Sequence, residues 1–239
     1  MSRYEDSKDL AVQVWNDAVD KAVQISQPEI IRHVEQSRRS RPDATPTEII
    51  GVLGKRFTAS VAGTGAAAGA TAAAPGVGTG ISLALSAGDA LAYTGVAALY
   101  TLALAEIYGV PITELERRRT LLLGVLVGES GAKTIQKMAG RTGPHWAKKI
   151  INVIPVSGLK QINRVLGRNF VTKYGTKQGI LILGKTMPFG IGAIIGGAGN
   201  AAFAQFTIRS AGRAFGPPPG EWPQTFDISK PRVKSWGVV

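Results

Sequence analysis

Apolar residues recur along this chain at helical spacing, and nothing in the pattern demands a strand. Leu10, Val14, Ala18, Ala22 and Ile25 share one face of an amphipathic helix expected over 7–27, with Asp9, Asp17, Asp20 and Lys21 on its other faces. Pro28 opens a second, short helix over Glu29–Gln36. That helix gives way to the polar segment Ser37–Pro42, which carries Arg38, Arg39 and Arg41 and reads as a linker. Thr45-Pro46-Thr47-Glu48 then combines an N-cap threonine, proline at the first helical position and glutamate three residues after the cap, a strong helix start.

Phe57–Gly88 contains no charged residue and is dominated by alanine and glycine, interrupted by Pro75-Gly76-Val77-Gly78-Thr79-Gly80, which reads as a turn. A second, more apolar helix follows over Ile81–Tyr108, with Asp89 and Glu106 its only charges, and stops at Gly109 and Pro111. The two arms make a helical hairpin of nearly membrane-spanning length. Leucine, isoleucine and phenylalanine drive insertion, and the first arm has few of them. Small residues spaced by four, Gly65/Gly69 and Gly76/Gly80, suit close helix contact instead. Both a packed core hairpin and a membrane-embedded one remain open from the pattern. Thr113 with Glu116 is expected to cap the next helix, in which Arg117–Arg119 precede the apolar run Leu121–Val127. That run is too short to span a bilayer.

Beyond it the expected helices are short and punctuated by glycine and proline: Ser130–Ala139, Thr142–Val153 stopped by Pro155, Ser157–Leu166, Asn169–Tyr174 and Thr176–Lys185. Pro188 opens a long apolar helix through Ala214, and Pro217-Pro218-Pro219-Gly220 ends it ahead of an extended, partly ordered tail. The expected fold is therefore all-α, a multi-helix bundle around the glycine/alanine-rich hairpin with no substantial sheet. It divides into an N-terminal helical arm over 1–44, a helical domain over 45–216 and a proline-rich tail over 217–239.

Charge adds the main functional clue. The net charge is +12, and from Ser130 to Gly220 there are thirteen Lys or Arg residues and no Asp or Glu. Residues 1–129 hold 12 basic and 14 acidic residues, so the imbalance belongs to one stretch. A field of one sign attracts a polyanion, either an anionic membrane surface or nucleic acid. The basic residues recur in four-residue steps: Lys133, Lys137 and Arg141; Lys160, Arg164 and Arg168; Lys173 and Lys177; Arg209 and Arg213. On helices each set shares a face. With no acid at neighbouring positions, the stripes are not expected to form intrahelical ion-pair ladders. Lys133, Lys137, Arg141, Lys148, Lys149, Lys160, Arg164, Arg168, Lys173 and Lys177 are the candidate anionic-surface residues.

Composition removes several chemistries. With no cysteine there is no disulfide, thiol nucleophile or thiolate metal site, and only His33 and His145 supply imidazole. Met1–Lys21 is polar and acidic, unlike a secretory signal. Gly179–Thr186 matches the phosphate-loop formula G-x-x-x-x-G-K-T. Its four intervening residues are large aliphatics and no apolar strand precedes it, so a helix ending at Gly184 is the expected structure. Gly190–Asn200 matches a dinucleotide fingerprint equally weakly and suits close helix packing. Asp89 and Glu106 sit in apolar surroundings that raise a carboxylate pKa, and pairing with a buried base is their expected role. His145 beside Trp146 is expected to be a surface histidine. No metal-ligand spacing exists and no cofactor is called for.

Arg168-Asn-Phe-Val-Thr-Lys-Tyr-Gly-Thr-Lys-Gln-Gly179, followed by Pro188–Asn200, resembles the signature region of bacterial EcsC-family proteins. The resemblance covers roughly residues 80–215 and has no motif tied to a reaction. Family members are hydrophobic helical proteins named for a gene beside an ABC transporter. The resemblance thus implies membrane association and supplies no catalytic residue.

These readings converge on a non-enzymatic protein at the cytoplasmic side of the cell membrane, peripheral or hairpin-inserted, supporting a membrane transporter or envelope process. The expected partners are an anionic lipid membrane and a membrane protein complex, and an oligomer is compatible with the pattern. The alternative is a soluble cytoplasmic protein that binds nucleic acid or nucleotide.

Overall fold

Helices dominate the described structure, joined by turns and short irregular segments, and no strand occurs among the described residues. A computed structural model describes residue 13 and residues 15–72, 79–139, 145–148, 150, 154–185 and 191–226. Side chains within 64–91 and 171–200, and that of residue 225, lie outside the description. In chain order the helices are α1 (15–22), α2 (Gln27–Arg39), α3 (Pro46–Ala72), α4 (Thr79–Ile107), α5 (Leu115–Val127), α6 (Glu129–Met138), α7 (Val156–Lys185) and α8 (Ile191–Phe215). A 3-10 turn, Gln224–Phe226, closes the described part.

The start of α3 forms the expected capping box. Glu48 accepts from the Thr45 backbone amide at 2.8 Å and from its hydroxyl at 2.9 Å, while the Glu48 amide donates back to Thr45 Oγ1 at 3.3 Å. These bonds hold the Glu48 carboxyl below its ordinary value. At the far end of α4, Gly109 adopts φ +66°. Its amide donates to Glu106 O at 3.0 Å and that of Val110 to Ala105 O at 2.8 Å, the paired bonds of a Schellman stop. The next helix departs from expectation: Glu114, and not Thr113, is the N-cap of α5.

Helices stand where the two arms of the hairpin were expected; of the expected turn over 75–80, residues 75–78 lie outside the described residues and Thr79 and Gly80 already belong to α4. The principal partner of α3 is α8, however, and α4 comes second. Gly54 faces Ile208 while Gln205 donates to Thr58 at 3.2 Å, so α3 and α8 run antiparallel. Phe57 stacks on Tyr100 at 4.9 Å on the α4 side, and Tyr93 shares a 2.8 Å hydroxyl hydrogen bond with Thr207. Among the described residues no helix is long and apolar enough to cross a membrane.

A second group of helices, α5, α6 and α7, packs beside the first, with Leu121–Val127 of α5 fully buried between them. Gly128 turns the chain between α5 and α6 at φ +75°, and the Phe206 ring of α8 sits 2.4 Å from where a Cβ would stand. Only glycine meets both demands.

Two expectations about helix length fail. The first helix does not run to residue 27; it ends at 22, and the Val23 and Ile25 carbonyls are drawn out of helical register to accept from Arg118. The three short helices expected over 157–185 are one continuous helix, α7. No proline falls between Pro155 and Pro188, and a helical glycine costs only about 1 kcal/mol, so glycine punctuation alone does not break it. Gly179–Lys185 is helical within α7 and 191–200 within α8, which removes the loop that either nucleotide motif requires.

The segment after α8 is packed as far as Phe226. Trp222 Nε1 donates to Ala44 O at 3.0 Å, and Arg38 lies 4.0 Å over the Trp222 ring while donating to Phe226 O at 2.8 Å. Residues 37–39, expected in a linker, form the last turn of α2 because Arg38 has this platform to cover. Residues 227–239 lie outside the described residues.

Candidate anion-binding cleft

The consecutive arginines of α5 explain how the site is built. Arg117 pairs with Glu114 at 2.7 Å and donates to the carbonyls of Ile150 and Ile154 ahead of α7. Arg118 is buried and donates to Ile112 O at 2.6 Å, Val23 O at 3.1 Å, Ile25 O and Gln27 Oε1. Arg119 pairs with Asp20 and donates to Asn16 Oδ1 at 3.2 Å, both on α1. Successive helical residues point about 100° apart, so one tripeptide ties three different segments to α5.

Arg119 also forms part of the wall of a cleft of about 330 Å³ between α1, α5 and α7. Lys160, Arg164 and Arg168 line it from α7, with Asn163 and Gly167, and Asn16 and Glu116 complete the lining. Its floor is polar and satisfied. Asn163 Nδ2 donates to Glu116 Oε2 at 2.7 Å and to Glu116 O at 3.0 Å, while the Thr120 hydroxyl lies 2.7 Å from Asn163 Oδ1. Trp15 meets Phe170 edge-on at 5.0 Å and seats α1 on α7. A Cβ on Gly167 would stand 3.5 Å from Asn16 Oδ1, an ordinary van der Waals contact between α7 and α1.

Of the ten candidate residues, the structure brings Lys160, Arg164 and Arg168 together, all exposed. Among the described residues no carboxylate lies within ion-pair distance of Lys160 or Arg164. Lys133 and Lys137 stand on α6. Lys133 pairs with Glu129 at 2.8 Å, against the expectation of no intrahelical pairs, because the acid-free stretch begins one residue after Glu129. Lys148 lies 5.7 Å from the Tyr108 ring centroid. Arg141 and Lys149 lie outside the described residues.

Lys173 and Lys177 fall within α7, and their side chains lie outside the description. The sequence reading missed Arg119, Asn16, Glu116 and Asn163 because their role depends on three helices meeting. The Arg117–Arg119 run was the one visible signal.

The remaining titratable candidates are structural. Glu106 is buried and accepts from Gln27 Nε2. Desolvation raises its pKa against the opposing effects of that bond and of Arg118. His145 Nδ1 lies 3.3 Å from Arg213 O, and its ring covers Gly216. The side chain of Asp89 lies outside the description. Among the described residues no group of three or more His, Asp or Glu side chains is placed to hold a metal ion.

Comparison with known proteins finds no matching family model, no matching curated protein and no matching solved structure.

Proposed function

We propose that this is a non-enzymatic, EcsC-like helical protein that binds an anionic membrane surface through exposed lysine and arginine side chains, in support of a membrane transporter or envelope process. The observation that carries this reading is the pairing of unneutralised cations with exposed apolar side chains at one end of the α5–α7 pair. Lys160 and Arg164 stand one turn apart on α7, exposed. Leu115 and Val156, the first residues of α5 and α7, are 51% and 39% exposed. Arg117, two residues from Leu115, reaches Ile154 O, two residues from Val156, at 3.2 Å, so both apolar side chains lie at the same end. Cations among head groups with apolar groups just below suit a bilayer surface, each charge contributing about 1 kcal/mol. The resemblance of 168–200 to the EcsC signature supports the same reading.

Co-sedimentation with vesicles tests it. Binding is expected to rise when phosphatidylserine is added to phosphatidylcholine and to fall with salt. Lys160→Glu with Arg164→Glu is expected to abolish the rise. Equal partition onto neutral and anionic vesicles would sink the proposal. Stronger, salt-sensitive retention on single-stranded DNA would favour nucleic acid instead.

A further inference from the structure

We infer that the cleft between α1, α5 and α7 binds a single phosphomonoester group, a refinement that rests on the proposed surface binding for the lipid source of that phosphate. The volume of about 330 Å³ falls at the small end of ligand-pocket sizes and suits a head group rather than a chain. Cations approach it from two directions, Arg119 from α5 and Lys160, Arg164 and Arg168 from α7. Arg119 is already oriented by Asp20 and Asn16, so little side-chain freedom remains to be lost on binding. Lys160 and Arg164 have no acidic partner among the described residues and can turn to a ligand. Arginine presents a planar fork that matches phosphate oxygens, and lysine adds a point charge.

The Glu116 carboxylate lines the same cleft, fixed by Asn163, and opposes any anion, but the cations of the lining outnumber it. The Coulomb gain in a net-positive cleft scales with the charge of the ligand, so a phosphodiester with a single negative charge gains less than a dianion. A phosphomonoester carries about −1.5 to −2 at neutral pH and engages Lys160 and Arg164 together. A terminal phosphate on a lipid or on a small soluble molecule presents the same chemistry to the cleft.

Titration with dihexanoyl phosphatidic acid below its micelle concentration, followed by calorimetry and by amide NMR shifts, tests this directly. Inorganic phosphate and dihexanoyl phosphatidylserine serve as comparison ligands. Saturable one-to-one binding of the phosphatidic acid is expected, weakened about tenfold or more in Arg164→Gln and in Lys160→Gln. Glu116→Gln is expected to tighten it. Both cations are exposed, so unchanged circular dichroism should accompany the loss. Inorganic phosphate binding as tightly as the lipid supports the phosphomonoester site and points to a soluble source. Equal binding of the phosphatidic acid and phosphatidylserine, or indifference to Arg164→Gln, overturns the site while leaving vesicle binding as a diffuse surface effect. Saturable binding of the short-chain lipid without vesicle binding supports the site and removes the surface reading.

Discussion

Arg118 donates to the side-chain oxygen of Gln27 at 2.7 Å, and the nitrogen of the same amide donates to Glu106. Gln27 thereby links a buried cation on α5 to a buried acid on α4 without direct contact between the two charges. The arrangement satisfies both groups by hydrogen bonds, yet it leaves the carboxylate substantially desolvated.

A pH dependence follows. Desolvation holds the Glu106 pKa above its ordinary value of 4.5. Between that value and the raised one, the folded protein binds more protons than the unfolded chain. The contribution of Glu106 to stability is therefore complete below the ordinary value and is lost as pH rises through the folded one. Glu106→Gln removes the ionisation. Its melting temperature relative to wild type is expected to improve progressively as pH rises above the ordinary carboxylate range. Parallel melting curves across that range would show that ionised Glu106 carries no net burial cost.

Gly128 is expected to be the least replaceable of the glycines at helix junctions. Alanine there must adopt φ +75° and also displace the Phe206 ring, whose Cζ lies 2.4 Å from the Cβ position. Gly128→Ala is expected to cost about 3 kcal/mol or more in urea unfolding. Adding Phe206→Ala removes the clash but not the backbone strain, so the double variant should be less destabilised than the two single losses sum to. Strict additivity would mean that Phe206 already moves aside without cost.

The segment after α8 can be tested at Trp222, which holds Arg38 on its face and Ala44 O by its indole nitrogen. Trp222→Ala is expected to cost about 1–2 kcal/mol and to make the chain after Phe215 more sensitive to limited proteolysis, with helical circular dichroism retained. An unchanged cleavage rate would place the anchor elsewhere.

The all-α class was legible from periodicity, and several boundaries followed from local chemistry. Thr45 with Glu48 and the Gly109 stop involve residues within one turn of each other, so the sequence contains both partners of each interaction. The length of α7 was less legible. Five glycines lie between Pro155 and Pro188 and look like breaks one at a time, but none costs enough to outweigh a helix packed along much of its length.

The candidate site divides in the same way. Four-residue spacing on its own put Lys160, Arg164 and Arg168 on one face of a helix, and the acid-free stretch from Ser130 to Gly220 marked that region as basic. Tertiary structure decided which cations line a common cleft. It brought Arg119 across from α5 and set Glu116 among them. α7 is also one continuous helix where separate short ones were expected. The physical reason is one of range. Periodicity and capping act over one or two helical turns and are written in neighbouring residues. A cleft is made where three helices cross, and its shape and charge depend on packing between residues far apart in the chain.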